Sequence, residues 1–158
     1  MLAATLRRAR VRCGDDSGSA LVEFTVLAVF LMVPLVYVIL TVFKVQAASY
    51  GVAQAAREAG RAYVTTEEGA DPWGRAFTAA NIAMTDHDPE FTLAPGALQV
   101  GNCSKSPCLT PGGAITFEVT YTVPLPLIPE QVFGVTPASI PLRSTHVEFV
   151  DRFRGRGG

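Results

Sequence analysis

From Ala20 to Phe43 the chain reads ALVEFTVLAVFLMVPLVYVILTVF, twenty-four residues in which Glu23 is the only charge. As a helix rising about 1.5 Å per residue, this run is roughly 36 Å long, more than a hydrocarbon core of about 30 Å. It is expected to cross a bilayer with some tilt. Arg7, Arg8, Arg10 and Arg12 precede it, and the next charges after it are Lys44 and then Arg57, Glu58 and Arg61. This asymmetry predicts a cytoplasmic N-terminus and an exported C-terminal mass. The competing reading is a secretory signal peptide cut near Val45-Gln46-Ala47, but the run far exceeds an h-region of about 7 to 15 residues.

The chain has 158 residues, room for this segment and one further domain. With 49% hydrophobic and 17% charged residues it is too apolar to be disordered. A formal net charge of -1 gives no basic surplus to draw it to nucleic acid, so no nucleic-acid partner is expected. Two histidines and three cysteines leave few side chains for a metal or a nucleophile, and neither a metal nor a cofactor is expected. Asp86-His87-Asp88, and His146 with Glu148, are the candidate acid/base or metal clusters. The first closes an expected helix just before Pro89 and neither sits in a motif, so the chain reads as a non-enzyme with no catalytic residue.

The leading edge of the apolar run is more specific: Asp15-Asp16-Ser17-Gly18-Ser19-Ala20-Leu21-Val22-Glu23-Phe24. A carboxylate inside a membrane helix costs up to about 3 kcal/mol and calls for a cation, unless it snorkels to the headgroups. Cleavage after Gly18 would supply one, the new α-amino group of Ser19, and Glu23 of one subunit would then neutralise the terminus of its neighbour.

A short basic leader, Gly18, and then Glu23-Phe24 continuous with an apolar stem resemble the class III signal of type IV pilin-like proteins. The closest likeness is to TadE-like minor pseudopilins of tight-adherence pilus systems. The resemblance covers about residues 7 to 65. Near the C-terminus, His146-Val147-Glu148-Phe149-Val150-Asp151-Arg152-Phe153-Arg154 resembles the endings of actinobacterial members. It implies cleavage by a prepilin peptidase between Gly18 and Ser19, and a role for Glu23 and Phe24 in assembly. The implied partners are the lipid bilayer, that peptidase, other pilins and pseudopilins, and the Tad inner-membrane platform. Ser19 departs from the aromatic or apolar mature terminus of many major pilins, which favours a minor role. The alternative is an uncleaved, single-pass anchored protein whose outer domain binds a ligand.

The resulting layout is a leader over 1–18, a transmembrane helix over 19–44, an exported α+β domain over 45–154 and a disordered tail over 155–158. Past Lys44 the helical pattern continues to about residue 65. Its stripe of Val45, Ala48, Val52, Ala55, Ala56, Ala59, Ala62 and Tyr63 suits either the chain's own sheet or a subunit interface. Pro34 is expected to loosen or kink the helix. Asp71-Pro72 starts a second helix, with Trp73, Ala76, Phe77, Ala80, Ala83 and Met84 facing the core. Short strands are expected near Phe91–Leu93 and Leu98–Val100, and a one-sided strand over Ala114–Val123 ended by Pro124, Pro126 and Pro129. A last strand over Ser139–Phe153 carries Ile140 and Leu142 on one face and Val147 and Phe149 on the other, which predicts a bulge between Arg143 and His146. The tail from Arg154 onward is expected to be disordered. Cys103 and Cys108 lie in a turn-rich stretch on the exported side and are expected to form a disulfide. Cys13 falls in the leader.

Overall fold

A computed structural model describes residues 17–125 and 139–155. The expected leader up to residue 16, the Pro126–Pro129 connection and the tail from 156 lie outside these residues. The fold is α+β: helix α1 (Ser17–Val64), helix α2 (Pro72–His87) and strands β1 (Leu98–Cys103), β2 (Ala114–Pro124) and β3 (Ser139–Phe149). The strands form a three-stranded antiparallel sheet in the order β1-β2-β3. The chain divides into two compact units at Val38/Ile39.

In the first unit α1 is apolar and open on its sides, with Phe24 71% and Phe30 80% exposed and Pro34 inside the helix. Among the described residues this one helix is long and apolar enough to cross a membrane, and none of its most apolar stretch is buried within the chain.

In the second unit the small-residue stripe turns inward: Ala48, Val52, Ala55, Ala56 and Ala59 are all buried. Small side chains let two neighbours approach at once. A methyl group on Gly51 would lie 3.2 Å from Met84 of α2, and one on Gly60 would lie 3.2 Å from Phe117 of β2. The stripe therefore packs on the chain's own α2 and sheet, one of the two destinations the sequence left open. Lys44 pairs with Glu90 at 3.1 Å, next to Phe91, whose ring centroid lies 5.4 Å from that of Tyr121, whereas Gly60 sits against Phe117, His146 and Glu148. Because Tyr121 pairs with Leu142 and Phe117 with His146, α1 runs in the same direction as β3.

Helix α2 begins as its sequence dictates. Asp71 caps it by accepting a 3.0 Å hydrogen bond from the Trp73 N–H, and Pro72 fills a position whose missing N–H costs nothing. Ala76, Ala80, Ala83 and Met84 are buried as expected, but Trp73 is 41% exposed. Lying in the first turn, it stacks on Phe77 with ring centroids 5.3 Å apart instead of entering the core.

Phe91 and Leu93 form no strand. The segment is irregular, with Phe91 fully buried and the Leu93 N–H donating to Asn81 Oδ1 at 2.9 Å. In β2, Ile115, Phe117, Val119 and Val123 are buried and Tyr121 is half-buried, matching the expected apolar face.

The expected bulge in β3 is absent. Its pairing with β2 runs without a shift from Ala114↔Phe149 to Pro124↔Ser139, and the irregularity lies in β1 between Val100 and Cys103. The strand keeps Ile140, Leu142, Ser144, His146 and Glu148 on the half-buried face, while Val147 and Phe149 point to solvent. It also ends at Phe149, four residues before the expected limit of Phe153.

Candidate functional site

The residues singled out in the sequence fall in separate places. Gly18 and Ser19 lie within the first turn of α1, which starts at Ser17, so the expected boundary between leader and stem falls inside the helix. Glu23 follows on an exposed turn, and Phe24 beside it is 71% exposed. Among the described residues Glu23 forms no ion pair. Thr25 donates its hydroxyl to the Leu21 carbonyl at 2.8 Å, hiding one polar group against the helix itself. Among the described residues this unit presents an apolar cylinder with one carboxylate near its start, suited to lipid or to other helices.

The remaining singled-out residues belong to the second unit. Cys103 and Cys108 are joined at an S–S distance of 2.07 Å, closing the turn between β1 and β2. Lys105 Nζ donates to the Pro111 carbonyl at 2.8 Å inside the same turn. Asp86-His87-Asp88 does not converge: His87 Nε2 meets Gln54 Oε1 at 3.1 Å, and Asp88 Oδ1 accepts from the Glu90 N–H at 2.9 Å as the helix ends. His146 Nε2 and Glu148 Oε2 do meet, at 3.1 Å, at the seam between β3 and Gly60. Among the described residues no three His, Cys, Asp or Glu side chains gather to hold a metal ion.

Two polar devices were not read from the sequence. Burial raises the Tyr121 phenol above its ordinary range, while Lys44 opposes that shift and Asp88 and Glu90 add to it. The second device is Arg154. Its guanidinium donates to the carbonyl of Val64, the last residue of α1, and to that of Thr66 just past it, so this residue is ordered and not part of a loose tail. A fixed positive charge at a helix C-terminus also complements the helix dipole. The surrounding hollow, about 450 Å³, is lined by Thr66, Glu67, Glu68 and Asp151. The partners stand 88 and 90 residues apart in sequence, so no local pattern announces the contact.

Replacing Arg154 with Ala is expected to cost about 1.5 to 3 kcal/mol, the usual worth of hydrogen bonds from a charged donor. Lys is expected to restore only part of this, since it lacks the planar fork. Thermal unfolding of both variants checks the expectation, and an unchanged midpoint for Arg154→Ala would remove Arg154 as the cap.

Compared with protein-family models, with curated proteins and with solved structures, the chain finds no significant match.

Proposed function

We propose that the chain is a membrane-anchored minor pseudopilin of a Tad-type pilus or a related secretion machine, working by helix packing and not by catalysis. One observation carries the reading: an apolar stem with no buried residue, whose only charge, Glu23, sits five positions after Gly18. In this reading residues 1–18 are a cytoplasmic leader removed by a prepilin peptidase, and the stem anchors the chain as a single pass. The domain after Lys44 faces the exterior, where its disulfide is stable. Glu23 then pairs with the α-amino group of Ser19 on a neighbouring pilin, and Phe24 packs beside it. The bilayer, the peptidase, partner pilins and the inner-membrane platform are the partners this role requires.

Intact mass and N-terminal sequencing of the protein from native membranes test the first step. A chain beginning at Ser19, and retention of residues 1–18 when the peptidase is absent or Gly18 is replaced, is the expected result. Retention of the leader in competent cells would make the chain an uncleaved anchor. Glu23→Gln tests the second step: membrane insertion persists, while recovery with partner pilins falls about tenfold, equivalent to about 1.4 kcal/mol. Unchanged recovery would dismiss the assembly role of Glu23.

A further inference from the structure

The two edges of the sheet differ. β1 is short, irregular between Val100 and Cys103, and closed off by the disulfide turn, all features that blunt an edge against further pairing. β3 has 11 residues in unbroken register with β2, and among the described residues only Pro141 and the charge of Arg143, near its start, blunt its outer edge.

The direction of its main-chain groups follows from its neighbours. The Val150 N–H donates to the Gly113 carbonyl, and the Val150 carbonyl accepts from the Gly112 N–H, so Val150 faces the β2 side. Alternation then turns residues 140, 142, 144, 146 and 148 toward β2, and residues 141, 143, 145, 147 and 149 away from it. Pro141 fits this assignment, since a proline in a sheet belongs where no ladder donor is needed. Arg143, Thr145, Val147 and Phe149 therefore each offer one N–H and one C=O outward, with no main-chain hydrogen bond on that side among the described residues. Their side chains share the solvent face, where Val147 is 47% and Phe149 68% exposed, and Phe153 just beyond is 93% exposed.

We propose that the Arg143–Phe149 edge takes up an extended strand of a different protein, one with apolar side chains alternating along the face shared with Val147 and Phe149. A row of alternating donors and acceptors at strand spacing is satisfied by another extended backbone, and the apolar strip selects its side chains. The direction of α1 excludes pairing with β3 of a second copy, and the irregular, disulfide-closed β1 is a poor alternative edge. Self-pairing of β3 about a two-fold axis is antiparallel, and because α1 runs with β3, it sets the two Lys44 ends at opposite poles of the joined sheet. Two chains whose apolar runs enter one bilayer just before Lys44 cannot meet that way. This step rests on the membrane anchorage proposed above.

The test is amide hydrogen exchange at single-residue resolution, on the full-length chain in its native membranes and on the same chain purified into lipid nanodiscs at two concentrations. The amides of Arg143, Thr145, Val147 and Phe149 are expected to exchange at least about tenfold more slowly in native membranes than in nanodiscs. Thr145→Pro removes one outward donor without touching the β2 ladder, and Val147→Lys places a charge on the strip while leaving the backbone intact. Either is expected to abolish the difference with the β2-facing amides still protected, and Val147→Lys serves if the proline variant does not fold. Fast exchange in both samples overturns the proposal. So does protection in nanodiscs that grows with concentration, which means self-pairing, or protection there independent of concentration, which means the chain covers its own edge. Absence of the chain from the membrane fraction would instead defeat the anchorage, and the four amides are then read by the same criterion in the fraction that holds it.

Discussion

Phe117→Ala will unfold this domain more readily than other truncations in the sheet, with an expected loss of about 3 to 5 kcal/mol. Phe117 is fully buried in the first half of β2, and its ring meets Tyr63 of α1 edge-on with centroids 5.4 Å apart. The helices give the buried cluster it belongs to mostly small side chains, Ala55, Ala56 and Ala59 from α1 and Ala76 and Ala80 from α2. Alanines carry no flexible mass that could swing into a cavity, and the α1 backbone is already close at Gly60. The cavity should therefore persist, which places the cost toward the upper end of the range. Small domains commonly hold only about 5 to 15 kcal/mol in total. Denaturant titration in detergent micelles reads the change, and a loss below about 1.5 kcal/mol would mean that this aromatic is not the centre of the core.

The second large effect lies on the other side of the same contact. At Gly60 a Cβ atom alone would sit 3.0 Å from Glu148 Cβ, 3.2 Å from Phe117 Cδ2 and 3.3 Å from His146 Cδ2. Gly60→Ala sets this crowding against a gain in helix propensity of about 1 kcal/mol, and a net change within about 1 kcal/mol is expected. Gly60→Leu adds three more carbons into a seam with no room, and overpacking costs about 1 to 3 kcal/mol, with the upper end expected where backbone and ring already touch. The contrast between the two variants is the informative measurement. If leucine is tolerated as well as alanine, α1 does not approach the sheet at Gly60.

What could be read in advance follows the range over which each feature is decided. Asp71-Pro72 and the alternation of Ile115, Phe117, Val119 and Val123 are local signals, and both elements form where those residues place them. The Cys103–Cys108 bond was legible for the same reason, two thiols in one turn. β3 was misread because apolar residues were assumed to point inward. Its inner face lies partly at the margin of the cover that α1 provides, where His146 and Glu148 satisfy each other at 3.1 Å, and this leaves Val147 and Phe149 outside. Trp73 failed for a related reason: helical spacing puts it on the right stripe, but the first turn of α2 projects past the core. Gly60 and Arg154 could not be found at all, since their partners are brought close only by the packing of α1 on the sheet and on the last residues.

The shared direction of α1 and β3 decides how the domain bears mechanical load. Tension applied along α1 pulls it lengthwise across the sheet, so its contacts from Ala48 to Gly60 slide together and none is peeled away first. Such a shear geometry resists rupture through many simultaneous contacts, and its lifetime under load is set by the rate of unfolding more than by equilibrium stability. Arg154, gripping the far end of the helix from just past the turn at Arg152 and Phe153, acts as the stop against which that slide must begin.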